Sequence, residues 1–241
     1  MYKNYIFDLY GTLIDIKTDE YSNNFYKKYA KWLRKNGYPY EWKRFRKIYL
    51  DIENKYRAKA KDMGKFSNPE IDIRDVFEEI LNLKKIRTDE EIVNNLCENF
   101  RNISVIYRLL YPDTIECLEC LQNKGKKIYL LSNAQRSFTW QELEMLDLIK
   151  YFDGIMISSD EGCMKPDSEF YNICMNRYGL KQSESLMIGN ELESDIKGAV
   201  NAGIDSFYIN RKSSCEKDIA AMYTYISENG SLMEVIKKTL K

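Results

Sequence analysis

Four short segments of this 241-residue chain carry residue types that can work together as a carboxylate-based reaction centre. They are Asp8-Leu9-Tyr10-Gly11-Thr12, Ser132-Asn133, Lys165-Pro166, and Gly189-Asn190-Glu191 with Asp195. A carboxylate that attacks a substrate needs a hydroxyl and an amide to hold the transferred group. It also needs a lysine to offset crowded negative charge, and further carboxylates where a divalent cation takes part. Singly, each segment reads as loop chemistry, because an Asp at a strand end, Ser-Asn, Lys-Pro and Gly-Asn are all common in turns. Their order and their places at strand ends make them a site. The chain has no histidine, which removes Ser-His-Asp and Cys-His mechanisms and every histidine-ligated metal centre.

Elements that could hold these residues follow from the patterning. Residues 5–9 read as a short buried strand that ends in the turn residues Gly11-Thr12. From about Asp15 to Leu110 no strand pattern emerges, and apolar residues recur at helical spacing. One helix carries Phe25, Tyr29, Trp32 and Leu33 and closes at Gly37 and Pro39; a second runs from Trp42 to about Ala60. A third spans Ile73 to Leu83, and a fourth begins near Thr88 with a capping-box-like Thr-Asp-Glu-Glu. From Pro112 helices and strands alternate, with strands over Lys127–Leu131, Gly154–Ile157, Leu186–Ile188 and Ser206–Ile209. Helices fall at about 113–124 and 139–148, at Ser168–Tyr178 and at Asp195–Ala202, and the last thirty or so residues read as helical packing. The expectation is an α/β fold: a doubly wound, Rossmann-like core of five parallel strands from residues 1–15 and 111–241. Residues 16–110 form an inserted α-helical cap, and ligands bind at the carboxyl ends of the strands.

Composition narrows the function further. Basic and acidic residues balance at 37 each, so no global field draws the chain to nucleic acid or a membrane. No leader pattern or apolar span appears, and the six cysteines show no secreted framework, so a cytoplasmic location is expected. Cys117 and Cys120 have CxxC spacing but sit in a helix-like stretch without a second pair, which reads as a reduced helix face. A small-molecule substrate is the expected partner, and nothing fixes the oligomeric state.

Together, Phe7-Asp8-Leu9-Tyr10-Gly11-Thr12-Leu13, Leu131-Ser132-Asn133, Lys165-Pro166-Asp167 and Ile188-Gly189-Asn190 through Ser194-Asp195-Ile196 resemble the four motifs of the haloacid-dehalogenase-like hydrolases. The resemblance spans the chain, since the helical insert after the first motif matches the subgroup with an early cap. It implies that Asp8 attacks the substrate and forms an aspartyl ester, and that Thr12 orients the carboxylate. It further implies that Ser132 and nearby groups hold the transferred group, that Lys165 neutralises charge, and that Tyr10, Gly11 and Asn133 contact substrate.

Two positions depart from the pattern. Most phosphatases of this superfamily carry an acid two residues after the nucleophile, to protonate the leaving alkoxide; here it is Tyr10, as in the related 2-haloacid dehalogenases. Metal-dependent members usually have Asp after the Gly of the fourth motif, and here it is Asn190. Glu191 and Asp195 could restore a two-carboxylate set, so that Asp8, the Tyr10 carbonyl and Glu191 or Asp195 would hold Mg²⁺. Against that, Asp195 also reads as a helix cap and Glu191 as a solvated first-turn residue. Lys43, Arg44 and Arg46 offer a basic cap face that could hold a substrate carboxylate. The run Ser194 to Ala199 resembles the phosphatase form of the fourth motif. The expectation is a Mg²⁺-dependent phosphatase acting on a small phosphorylated metabolite. The alternatives are a metal-independent 2-haloacid dehalogenase, or a degraded site that only binds a ligand.

Overall fold

A computed structural model describes residues 1–211 and 223–240. In chain order the elements begin with β1 (Asn4–Phe7), β2 (Ile14–Thr18), α1 (Asn23–Lys35), α2 (Trp42–Asp62), α3 (Ile73–Asn82), α4 (Glu90–Ser104) and β3 (Val105–Leu110). There follow α5 (Thr114–Asn123), β4 (Lys127–Ser132), α6 (Arg136–Met145), β5 (Gly154–Ile157), α7 (Ser158–Glu161), α8 (Ser168–Tyr178) and β6 (Ser185–Gly189). A π-helical turn at Leu192–Ile196 leads into α9 (Lys197–Asn201), then β7 (Asp205–Ile209), β8 (Tyr225–Ser227) and α10 (Met233–Thr239).

Six parallel strands lie in the order β5-β4-β1-β6-β7-β8. β1 is buried along its whole length, as a strand covered by helices on both faces must be. Its residues alternate between two apolar layers. Tyr5 and Phe7 pack with Leu118 of α5 and Val235 of α10, and Ile6 packs on the other face with Phe170 of α8 and Ala199 of α9. The strand order reverses at β1, with β4 on one side and β6 on the other. The crevice at its carboxyl end is therefore where such a sheet binds ligands.

Helices α1–α4 surround a separate apolar cluster dominated by rings. Phe100 lies 4.7 Å from Phe25 and 4.9 Å from Tyr49, between ring centroids, and Phe45 lies 5.2 Å from Tyr29. The caps are local: Ser22, Asp72 and Asp89 accept from Phe25, Arg74 and Ile92 main-chain N–H groups. Asp89, one residue beyond Thr88, caps α4.

Three features correct the sequence expectation. β2 and β3 form an antiparallel ribbon through which the chain enters and leaves the helical insertion, where no strand was expected. Its outer face leaves Ile106 and Leu109 in solvent, so burial does not follow apolarity there. β8, three residues at the edge beside β7, adds a sixth strand within the segment read as wholly helical. The helix expected from Asp195 starts with the π turn, and α9 proper begins at Lys197. Cys97, Cys117, Cys120, Cys163 and Cys174 are free thiols, with the first CxxC member buried on α5; Cys215 lies outside the described residues. No described helix is long and apolar enough to cross a membrane.

The insertion also touches the core between α2 and α3. Ser67 and Asn68 N–H groups donate to Asp167 Oδ2 at 2.7 and 3.1 Å, and Met164 N–H donates to the Asn68 carbonyl at 3.0 Å. Glu70 N–H donates to Gly162, and Gln135 bonds both the Ile71 carbonyl and the Ile73 N–H.

Candidate active site

Asp8 follows β1 directly, and its N–H donates to the Ile188 carbonyl of β6 at 2.9 Å. The chain then turns tightly, with the Leu9 carbonyl accepting from the Thr12, Leu13 and Ile14 N–H groups. Gly11 is required twice over: its φ is +83°, and a Cβ there would stand 2.4 Å from the Asn190 side chain. The turn brings Thr12 Oγ1 to 3.2 Å from Asp8 Oδ2 and 3.0 Å from Asn190 Oδ1.

Lys165 supplies the charge. Its Nζ lies 2.7 Å from Asp8 Oδ1 and 2.7 Å from Asp195 Oδ1, with all three side chains buried. Asn133 fixes the lysine's main chain: its Oδ1 accepts from Lys165 N–H at 2.8 Å and its Nδ2 donates to the Lys165 carbonyl at 2.9 Å. The amide thus positions Lys165 while Asn133 also lines the cavity above the strand ends. Asp195 Oδ2 accepts from Glu191 N–H at 2.9 Å, and a Cβ at Gly189 would lie 2.2 Å from it. Tyr171 braces this turn from α8, donating to the Ser194 and Asp195 carbonyls.

Electrostatically the centre is short of positive charge. Burial pushes Asp8 up to about 6, against the pull of Lys165 and with the help of the neighbouring Asp195 charge. Burial disfavours the Lys165 ammonium, but the two carboxylates outweigh that and hold it above the usual lysine value. Ser132, at the end of β4, is fully buried, and among the described residues its hydroxyl has no partner. A buried hydroxyl without a partner costs about 1–3 kcal/mol, so it marks a place prepared for something polar.

Tyr10 points away from this centre. Its hydroxyl donates to Glu142 Oε2 at 2.5 Å and lies 3.0 Å from Thr139 Oγ1. Burial first, and then the Glu142 charge, hold the phenol well above its ordinary value, so it is no acid for a leaving group. Glu142, on α6, is itself fully buried between Arg101 (2.9 Å) of α4 and Arg108 (3.0 Å) of β3. Arg101 stacks over the Tyr10 ring at 5.4 Å and also pairs with Glu20 at 2.7 Å.

Above the strand ends lies a cavity of about 260 Å³ lined by Tyr10, Asn133 and Gln135 below and by Glu20, Arg57, Glu70 and Arg101 above. Those last four, and Glu142, escaped the sequence reading. Lys43, Arg44 and Arg46 are not among the lining residues; Arg57, further along α2, is. An arginine facing a cavity and one on a solvated helix face have the same spacing, so no sequence signal separates them. Asp8, Glu191 and Asp195 do not form a three-carboxylate metal cluster, and among the described residues no group of three acidic or cysteine side chains does. Asn190 places a side-chain oxygen against Thr12.

A family model described as haloacid dehalogenase-like hydrolase matches residues 2–203. A glyceraldehyde 3-phosphate phosphatase from Methanothermobacter thermautotrophicus is 28% identical over 138 residues, which is 57% of this chain and 58% of that one. The chain thus spans little more than half of that relative's length. Two solved structures share the fold across nearly both full chains. One is a HAD phosphatase from Thermococcus onnurineus (TM-score 0.60, 22% identity, covering 98% of this chain and 97% of that one). The other is a dehalogenase with an intermediate complex (TM-score 0.62, 19% identity, covering 100% and 98%). With the family match spanning most of its length and the four motif segments converging at the end of β1, the chain belongs to the haloacid dehalogenase-like hydrolases.

Proposed function

We propose that the protein hydrolyses phosphate esters of small metabolites, with Asp8 as nucleophile. The observation that carries this is the Lys165 ammonium set between Asp8 and Asp195 at 2.7 Å from each, beside the partnerless Ser132 hydroxyl. The Asp8 carboxylate attacks phosphorus, the bond from phosphorus to the leaving oxygen breaks, and the departing alkoxide takes a proton from solvent water. Water then attacks the aspartyl phosphate, and the bond from phosphorus to Asp8 breaks to give orthophosphate and the free carboxylate. Ser132 donates to a phosphoryl oxygen, Thr12 orients Asp8, and Lys165 offsets the charge that gathers on the transferred group. The phosphatase relative supports the substrate class. The free thiols agree with a cytoplasmic site of action.

The donor set fits Mg²⁺. Asp8 and Asp195 share one ammonium, which leaves an excess negative charge, and the Asn190 side-chain oxygen lies in the same turn. These hard oxygens, with the Tyr10 carbonyl and waters, match what the ion accepts. When bound it would offset further charge on the phosphoryl oxygens.

Tyr10 favours a second reading. With its hydroxyl committed to Glu142, no acid stands at that position, and a halide needs no proton to leave. The deciding experiment is a panel of phosphate esters and 2-haloacids, each with Mg²⁺ and with chelator, for the native protein and Asp8→Asn. Phosphate release that needs Asp8 supports the proposal. Halide release in chelator, without phosphate release, overturns it.

A further inference from the structure

Arg211, two residues beyond β7, is half-buried and is not among the residues that line the cavity over the strand ends. Its guanidinium instead grips the nucleophile turn. Nε donates to the Gly11 carbonyl at 3.0 Å and Nη2 to the Thr12 carbonyl at 3.0 Å, so one edge of the group spans two consecutive peptide oxygens. Its central carbon lies 3.3 Å from the centroid of the Tyr111 ring, and the Tyr111 N–H donates to the Leu13 carbonyl at 3.1 Å. The stem is packed as well: a Cβ at Gly230, whose φ is +73°, would stand 3.2 Å from Arg211 Cγ. The side chain is thus seated between the ring that follows β3 and the turn that joins β8 to α10.

The two gripped oxygens belong to the peptides on either side of the Thr12 Cα. The same two peptides are held at their other ends, because the Thr12 and Leu13 N–H groups donate to the Leu9 carbonyl at 3.3 and 2.8 Å. Each plane is therefore pinned at both its N–H and its C=O, and a planar peptide has no internal torsion left to give. With both planes fixed, the direction of the Thr12 Cα–Cβ bond is fixed too. That direction lays Oγ1 3.2 Å from Asp8 Oδ2 and 3.0 Å from Asn190 Oδ1. Gly11, at φ +83°, has no side chain to restrict its backbone, so a clamp on its carbonyl removes freedom that the residue itself cannot. Two neighbouring oxygens also suit arginine's rigid fork of donors better than the single ammonium of a lysine.

We infer that Arg211 is a positioning residue for the reaction at Asp8: it fixes the two peptides that flank Thr12, and through the Thr12 hydroxyl it holds the Asp8 carboxylate ready for attack. This rests on Asp8 being the nucleophile, as proposed above. Because Arg211 acts through Thr12, its loss belongs to the chemical step and not to substrate binding.

The test is a double-mutant cycle between Arg211→Met and Thr12→Val, read as p-nitrophenolate release from p-nitrophenyl phosphate with Mg²⁺. Methionine keeps an unbranched stem against Tyr111 and Gly230 but donates to neither carbonyl. Valine keeps the branched shape of threonine without the hydroxyl. In the native background Arg211→Met should lower kcat by about tenfold or more, with KM changed by less than about twofold. In the Thr12→Val background the same substitution should lower kcat by less than about threefold, since the group it works through is gone. Arg211→Lys, with one ammonium for two oxygens, should fall between the native protein and Arg211→Met, and the cycle is run with it if the methionine variant does not fold. Equal fold losses in both backgrounds, a loss carried by KM, or a native kcat in the Arg211 variants overturns the role. Asp8→Asn, measured alongside, separates the two failures. Release that survives it sinks the phosphatase reading and the Arg211 role together, whereas a failed cycle on Asp8-dependent release sinks the Arg211 role alone.

Discussion

Replacing Lys165 with Met is the sharpest probe of the charge arrangement. The ammonium is the buried partner of both Asp8 and Asp195, and methionine keeps a four-atom unbranched stem without the charge. Removing one member of a buried ion pair costs about 3–5 kcal/mol. In a chain of this size that lowers the melting temperature by roughly 2–4 °C per kcal/mol, or about 6–20 °C in all. The loss should depend on pH with a definite sign. Asp8 stands at about 6 even with the ammonium present, and without it the Asp8 carboxyl is pushed higher. A carboxyl raised above its unfolded value contributes stability that is complete at low pH and fades as pH rises through the folded value. The gap between Lys165→Met and the native protein should therefore be smaller at pH 5 than at pH 8. Asp195→Asn in the same background removes one of the two stranded charges, so Lys165→Met should cost less there than in the native protein. Differential scanning fluorimetry of the four proteins at both pH values makes the measurement, with kcat expected to fall about 10²–10³-fold in Lys165→Met. A loss under about 1 kcal/mol, or the same loss at both pH values, would refute the assignment of Lys165 as the site's charge balance.

Three further outcomes follow from the same geometry. The kcat/KM profile should fall on the acid side with an apparent pKa near 6, as protonation removes the Asp8 nucleophile; a flat profile down to pH 4.5 would contradict this. Aryl phosphates should be hydrolysed at least tenfold faster than alkyl phosphates, because Tyr10 gives the leaving oxygen no proton, and equal kcat values would show that another group does. Mg²⁺ should raise the melting temperature of the native protein in a concentration-dependent way, and Asp195→Ala should abolish that shift.

The candidate centre was more legible in the sequence than its surroundings, for a physical reason. Asp8 and Ser132 sit at or next to strand ends whose apolar runs can be read locally, whereas Lys165 follows α7 and Asp195 lies in the π turn after β6, and packing brings them to Asp8. The strands Gly154–Ile157 and the helix Ser168–Tyr178 were legible to the residue, since burial there follows the pattern. The β2–β3 ribbon was not, because its strands are separated by the four helices and leave apolar residues outside. Arg57, Glu70 and Arg101 come from α2, the α2–α3 connection and α4, and only packing makes neighbours of them. Asn133 shows the limit of motif reading: no motif tells that its amide bonds the Lys165 main chain.

The segment between α2 and α3 has a bearing on turnover. It is fastened to Met164 and Asp167, the residues that flank Lys165, and to Gln135, two residues beyond Asn133. The ribbon holds both ends of the helical insertion, and this segment ties its middle to the core. Any movement that parted the insertion from the core here would also strain the loop that aims the ammonium at Asp8, so opening the site and disarming the lysine would be coupled.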